Sequence, residues 1–189
     1  MNRVGMVIDM SHSAEKSTLE AIDISERPIA ITHANPSFFH NALRNKSDTV
    51  LRAIGESEGM LGFSMYPFHL KNGSDCTLED FCQMIAQTAE MIGIDRIGIG
   101  SDLCLNWDYK ILEWMRSGRW TTSVDHGEGS ADKLSWPEQP VWFKGTEDLH
   151  KVAKGLEDHG FKEADVAKVM GGNWLSFFEK SFSGNLIKS

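Results

Sequence analysis

Two apolar runs near the start of the chain each finish on a histidine: "VIDMSHS", Val7 to Ser13, carries His12, and "IAITHAN", Ile29 to Asn35, carries His33. A third run, "IGIGSDL", ends on Asp102. Neutral imidazole nitrogen is a common zinc ligand, and a carboxylate either binds metal or accepts a proton. Gathered at one point, these three side chains have the chemistry of metal-assisted hydrolysis. Scattered, each is a loop polar group or a hydrogen bonder at a helix start. Spacing alone leaves both readings open, because no local motif of the H-E-x-x-H kind is present.

The elements that must position them read as alternating strands and helices. Val4 to Met10 is a mostly apolar run bounded by turn residues and reads as a buried strand. Ala14 to Ser25 follows as a short amphipathic helix with Leu19 and Ile22 on one face. Pro28 to Thr32 reads as the second strand, Asp48 to Glu56 as the next helix and Met60 to Met65 as the third strand. Thr77 is an N-cap with Glu79 and Asp80 in the first turn; Phe81, Ile85, Ala89 and Ile92 mark one face, and Gly93 stops the helix. Arg96 to Gly100 is the fourth strand. Such alternation is the signature of βαβ units and a parallel sheet, in which chemistry gathers at the carboxyl ends of the strands. His12, His33 and Asp102 each fall at such an end.

Beyond Leu103 the pattern dissolves. Residues 103–145 hold Trp107, Trp114, Trp120, Trp136 and Trp142 and read as a long tryptophan-rich loop insertion, with "DYKILEWMRSG" as a possible short helix. Helical patterns resume at Glu147 to His159, near Glu163 to Met170, and at Asn173 to Ser181. We read residues 1–189 as one domain.

Bulk properties narrow the function. A net charge of −8 argues against non-specific nucleic-acid binding, and no apolar run is long enough to span a membrane. The start lacks a secretory h-region. Three cysteines without a C-x-x-C pair disfavour a disulfide scaffold or a cysteine zinc site. A cytoplasmic location is the expectation. No G-x-S-x-G elbow surrounds Ser11, and "GIGSD" has too few glycines for a dinucleotide fingerprint. His126, in "DHGEGS", is a weaker pocket candidate; His40, His69, His150 and His159 carry no signal.

The strings "GMVIDMSHS", "RPIAITHAN", "LRNKSDTVLRAI", "GMLGFSMYP", "CTLEDFCQMIAQTAEMIGIDRIGIGSD" and "VMGGNWLSFFE" together resemble the renal or membrane dipeptidase family, the M19 metallopeptidases, from about Gly5 to Glu179. The resemblance implies a partial (β/α)8 TIM barrel, about the last four β/α units, with C-terminal helices. It implies a zinc-dependent dipeptidase with two Zn2+ per complete active site, of which this chain supplies ligands for one. By the same resemblance, His12 and His33 are metal ligands and Asp102 handles protons beside the metal. Arg44, in "LRNKSD", grips the free carboxylate of the dipeptide, a task suited to a planar guanidinium fork. Tyr66 borders the substrate pocket, where core packing accounts for it equally well.

The family's His-x-Asp pair and bridging glutamate have no counterpart here. The resemblance therefore implies a half site, completed by a missing N-terminal half or by a second copy in a homodimer. Asp102 is the candidate for a third ligand oxygen. The family's Asp-Phe-Asp-Gly is replaced by "SDLCLN", which leaves the preferred dipeptide open. The tail "SFSGNLIKS" is too polar for a GPI-type anchor, so no membrane partner is expected. Two other readings keep the same residues: a non-catalytic, truncated half barrel acting as an assembly partner, and a related metal-dependent amidohydrolase acting on another amide.

Overall fold

The structure is a computed structural model that describes residues 1–105, 108, 110–111 and 137–182. Three short strands, β1 (Ala30–Ile31), β2 (Met60–Phe63) and β3 (Ile97–Ile99), form a parallel sheet in the order β1-β2-β3. Its register sets Ala30 against Met60 and Gly62 against Gly98. Parallel neighbours need crossovers, and helices supply them. The helix α1 (Glu15–Ile24) precedes β1, α2 (Asp48–Glu56) joins β1 to β2, and α3 (Leu78–Ile92) joins β2 to β3. The fold is therefore α/β with a small parallel sheet.

Local sequence explains the helix ends. Ser47 caps α2 by accepting from the Val50 N–H, and Thr77 caps α3 by accepting from the Asp80 N–H at 3.0 Å. Gly93 ends α3 with φ 92, a backbone value that L side chains disfavour. Strand residues alternate between faces. Ile29, Ile31, Leu61, Phe63 and Ile97 join the main core with Leu51, Ile54, Phe81 and Ile85 of α2 and α3. Ala30 and Met60 face the other way and pack with Phe177 of the last helix.

After the tryptophan-rich stretch come α4 (Leu149–Asp158), α5 (Glu163–Ala167) and α6 (Asn173–Phe182). Trp142 is buried: its ring centroid lies 5.0 Å from that of Phe81, and its Nε1 donates to the Cys76 carbonyl at 2.7 Å. The other four tryptophans of that stretch and His126 lie outside the described residues, as does most of the "DYKILEWMRSG" segment.

One expectation needs correcting. Val4 to Met10 is not a strand. Asn2–Val4 closes into a 3-10 turn ended by Gly5 at φ 70, and Val4 and Met6 remain exposed. Only Asp9 makes a bridge, with Ala30. An apolar run becomes a strand only where a neighbour pairs with it, and here pairing is confined to Ile8–Met10. The helical path expected to reach Met170 does so: α5 widens at Lys168, and Gly171 at φ 155 breaks the path one residue beyond Met170.

Candidate metal and substrate site

The carboxyl end of the sheet is built around Asp9. The Ala30 N–H donates to the Ile8 carbonyl at 2.9 Å and the Met10 N–H to the Ala30 carbonyl at 2.8 Å, which locks Asp9 beside β1. One carboxylate oxygen of Asp9 accepts from the Ser11 hydroxyl at 2.5 Å and from the backbone N–H groups of Ser11 and Thr32. The other accepts from the Thr32 hydroxyl at 2.6 Å. Burial pushes the Asp9 carboxyl up, but the bonds from Ser11 and Thr32 outweigh it and hold the group below its ordinary value.

This arrangement fixes His33. Thr32 spends its proton on Asp9, so its oxygen accepts at 2.8 Å from His33 Nδ1, which must carry the ring proton. His33 Nε2 is left with its lone pair outward. The backbone N–H of His33 also donates to the Ser11 hydroxyl at 3.1 Å. A carboxylate acting through a hydroxyl to set an imidazole tautomer is the outer-shell support that metal-binding histidines use.

His12 meets that lone pair. The two Nε2 atoms are 2.8 Å apart and the rings are edge to face, with centroids 5.0 Å apart. Desolvation, followed by the nearby Arg44 and His33, lowers the His12 pKa to about 4, so the ring is neutral at pH 7. Two nitrogens on one tetrahedral zinc stand about 3.3 Å apart, given Zn–N bonds of about 2.05 Å. The observed pair needs to open by only about half an ångström, so the donor set fits a divalent ion of that kind. Among the described residues, no third His, Cys, Asp or Glu joins the pair in a metal-binding cluster. Asp102 lies near enough to His33 to interact with it electrostatically.

Arg44 lies within electrostatic reach of both Asp102 and Tyr66. Desolvation raises the Asp102 carboxyl, opposed by His33 and Arg44. Burial lowers the Arg44 guanidinium, opposed by Asp102 and Tyr66. Asp102 holds φ 55 just after β3, a conformation tolerated by Asp and concentrated at functional sites. Gly62 and Gly100 allow the close approach behind it: a Cβ on either would overlap the Thr32 carbonyl oxygen. The cleft beside this rim measures about 500 Å³ and is lined by Ser11, His12, Ser13, Leu43, Arg44 and Lys46.

A buried amide network shapes the loop that brings Arg44 in. Asn35 Nδ2 donates to the Ser64 and His69 carbonyls at 3.0 and 3.1 Å, and Asn45 Nδ2 donates to the His69 and His40 carbonyls. His69 is buried against Tyr66, with ring centroids 5.2 Å apart, and its Nδ1 is 2.8 Å from the Ser64 hydroxyl. Ser64 also accepts from the Tyr66 N–H at 3.1 Å. Desolvation, then Arg44, pushes the His69 pKa down to about 3. Sequence reading left Asp9, Thr32, Lys46 and His69 without roles. Asp9 and Thr32 carried a signal, as the aspartate three residues before His12 in "DMSH" and the threonine just before His33 in "ITHAN".

Residues 1–108 match the family described as membrane dipeptidase, peptidase family M19. The chain belongs to that family. Dipeptidase tcpJ of Claviceps purpurea is 32% identical over 174 residues, covering 92% of this chain and 34% of its own length. Among solved structures, an amidohydrolase from Pseudomonas aeruginosa superposes with a TM-score of 0.84 at 30% identity, covering 97% of this chain and 55% of that one. A metallo peptidase from Rhodobacter sphaeroides, liganded with a phosphinate mimic of the dipeptide L-Ala-D-Ala, shares the fold with a TM-score of 0.73 at 22% identity, covering 95% of this chain and 44% of that one. The chain therefore spans about a third of the length of curated relatives and about half of the solved chains it resembles.

Proposed function

We propose that this M19 family member is the carboxyl-terminal half of a (β/α)8 barrel and supplies one zinc position of a dipeptidase. The observation that carries the metal assignment is the facing Nε2 pair of His12 and His33, with the His33 lone pair set by Asp9 through Thr32. His12 and His33 would hold the zinc ion, which when bound would supply a water of lowered pKa and polarise the scissile carbonyl. Asp102, raised by desolvation, takes the proton of the attacking water. It returns that proton to the amine nitrogen as the C–N bond breaks. Arg44 pairs with the free carboxylate of the dipeptide through its two-toothed guanidinium, and Tyr66 closes the pocket beside it. Longer peptides lack a carboxylate at that point, which restricts the substrate to dipeptides.

The missing first-zinc ligands would come from an amino-terminal half or from a second copy of the chain; water-soluble surroundings such as the cytoplasm suit such a protein. No helix among the described residues is long and apolar enough to cross a membrane. A second reading, hydrolysis of another amide, draws on the amidohydrolase, whose TM-score and identity exceed those of the solved metallo peptidase. The test is zinc-dependent release of amino acids from a dipeptide panel, with loss in His33→Ala. Full activity in that variant removes the metal assignment, and hydrolysis of non-peptide amides alone selects the second reading.

A further inference from the structure

Lys46 is 4% exposed, and burying a cation is expensive unless its donors are satisfied. Its ammonium carries three protons, and three carbonyl oxygens receive it: Met10 at 3.0 Å, Ser11 at 2.9 Å and Ser13 at 2.8 Å. All three belong to the turn that carries His12. The backbone of Lys46 is tied elsewhere. Its N–H donates to the Asn35 carbonyl at 2.9 Å and its carbonyl accepts from the Ser37 N–H at 2.8 Å, within a bridge between Pro36 and Lys46. That segment directly follows His33. One residue thus fastens the turn before α1 to the loop after β1, and the two imidazoles hang from its two ends. Burial lowers the Lys46 pKa to about 8, which leaves the ammonium charged at pH 7.

We propose that Lys46 is a positioning residue for the metal site: its ammonium, caged by the Met10, Ser11 and Ser13 carbonyls, sets His12 at bonding distance from His33. The contrast with His33 is built in. His33 has a side-chain support through Thr32 to Asp9, whereas the turn bearing His12 is gathered from beneath by a tethered cation. The inference rests on the metal reading for its functional meaning, but the geometry it asserts exists without metal.

The experiment compares wild type with Lys46→Met, which keeps the length and apolar stem and removes the donors, and with Lys46→Arg as partial rescue. Imidazole nitrogen shifts are recorded in the zinc-free proteins, and zinc affinity is measured by competition with a chromophoric chelator. Lys46→Met should shift both His12 nitrogens and the His33 Nε2 that faces them, while leaving His33 Nδ1, held by Thr32, in place, and should weaken zinc about 10- to 100-fold, the usual cost of losing an outer-shell support. Lys46→Arg should fall between the two. An unchanged His12 spectrum with wild-type zinc affinity overturns the proposal, and so does a shift of His33 Nδ1 as large as those of the His12 nitrogens. If Lys46→Met fails to fold, Lys46→Gln carries the same comparison, with an undisturbed His12 again the contrary result. Wild type that binds no zinc removes the metal reading, while the zinc-free spectra still decide the role of Lys46.

Discussion

The two ends of one small sheet are built differently. At the carboxyl end, Asp9, Ser11, Thr32 and His33 are joined by hydrogen bonds of 2.5–3.2 Å, and a buried lysine holds the adjoining turn. At the amino end lies a slightly larger cleft of about 540 Å³, among Arg27, Glu58, Arg96, Lys168 and Asn173. Its charges are paired by surface bridges, Arg96 to Glu58 at 3.2 Å and Lys168 to Asp95 at 2.9 Å, with both carboxylates well exposed. Cavity size therefore does not mark the chemistry. What marks it is desolvation together with donors and acceptors whose directions are fixed by a second layer of partners.

That contrast breaks first at the proposed metal ligand. His33→Ala should lower zinc affinity by more than the about 100-fold expected from losing a supporting partner, read by equilibrium competition. One step out, Asp9→Asn should weaken zinc by about 10- to 100-fold, because the altered acceptor no longer sets the His33 proton on Nδ1. An Asp9→Asn protein with wild-type affinity would show that the outer layer is ornamental.

His69 sharpens the contrast through pH. Its folded pKa of about 3 lies below the ordinary 6.5, so the unfolded chain binds the extra proton between those values. Its contribution to stability is complete above about pH 6.5 and is lost as pH falls toward about 3. At pH 5 the loss is about 2 kcal/mol. Urea unfolding of His69→Phe should show a correspondingly shallower decline on acidification. At the amino end the effects are smallest: Arg96→Ala should cost less than about 1 kcal/mol and leave zinc affinity unchanged, since its partner Glu58 is largely exposed.

The elements with strong local signals were readable without coordinates. The helix over Asp48 to Glu56 is found with those bounds, and Thr77 and Gly93 end α3 as their chemistry requires. Val4 to Met10 misled because an apolar run carries no record of whether a neighbouring strand exists to pair with it. His12 and His33 were legible as strand-end polar groups, and the structure brings their Nε2 atoms together. Lys46 and His69 were not. Lys46 acts across 33 to 36 residues on backbone carbonyls, and His69 acts through burial against Tyr66. Neither contact leaves a periodic or motif-like trace in sequence.

The most direct measurement is a zinc titration of the intact chain, followed by the nitrogen shifts of all seven histidines. The account expects His12 and His33 to change together, at Nε2, reaching an endpoint at one ion per chain. Saturation with zinc that moves neither ring, or only one of them, would contradict it.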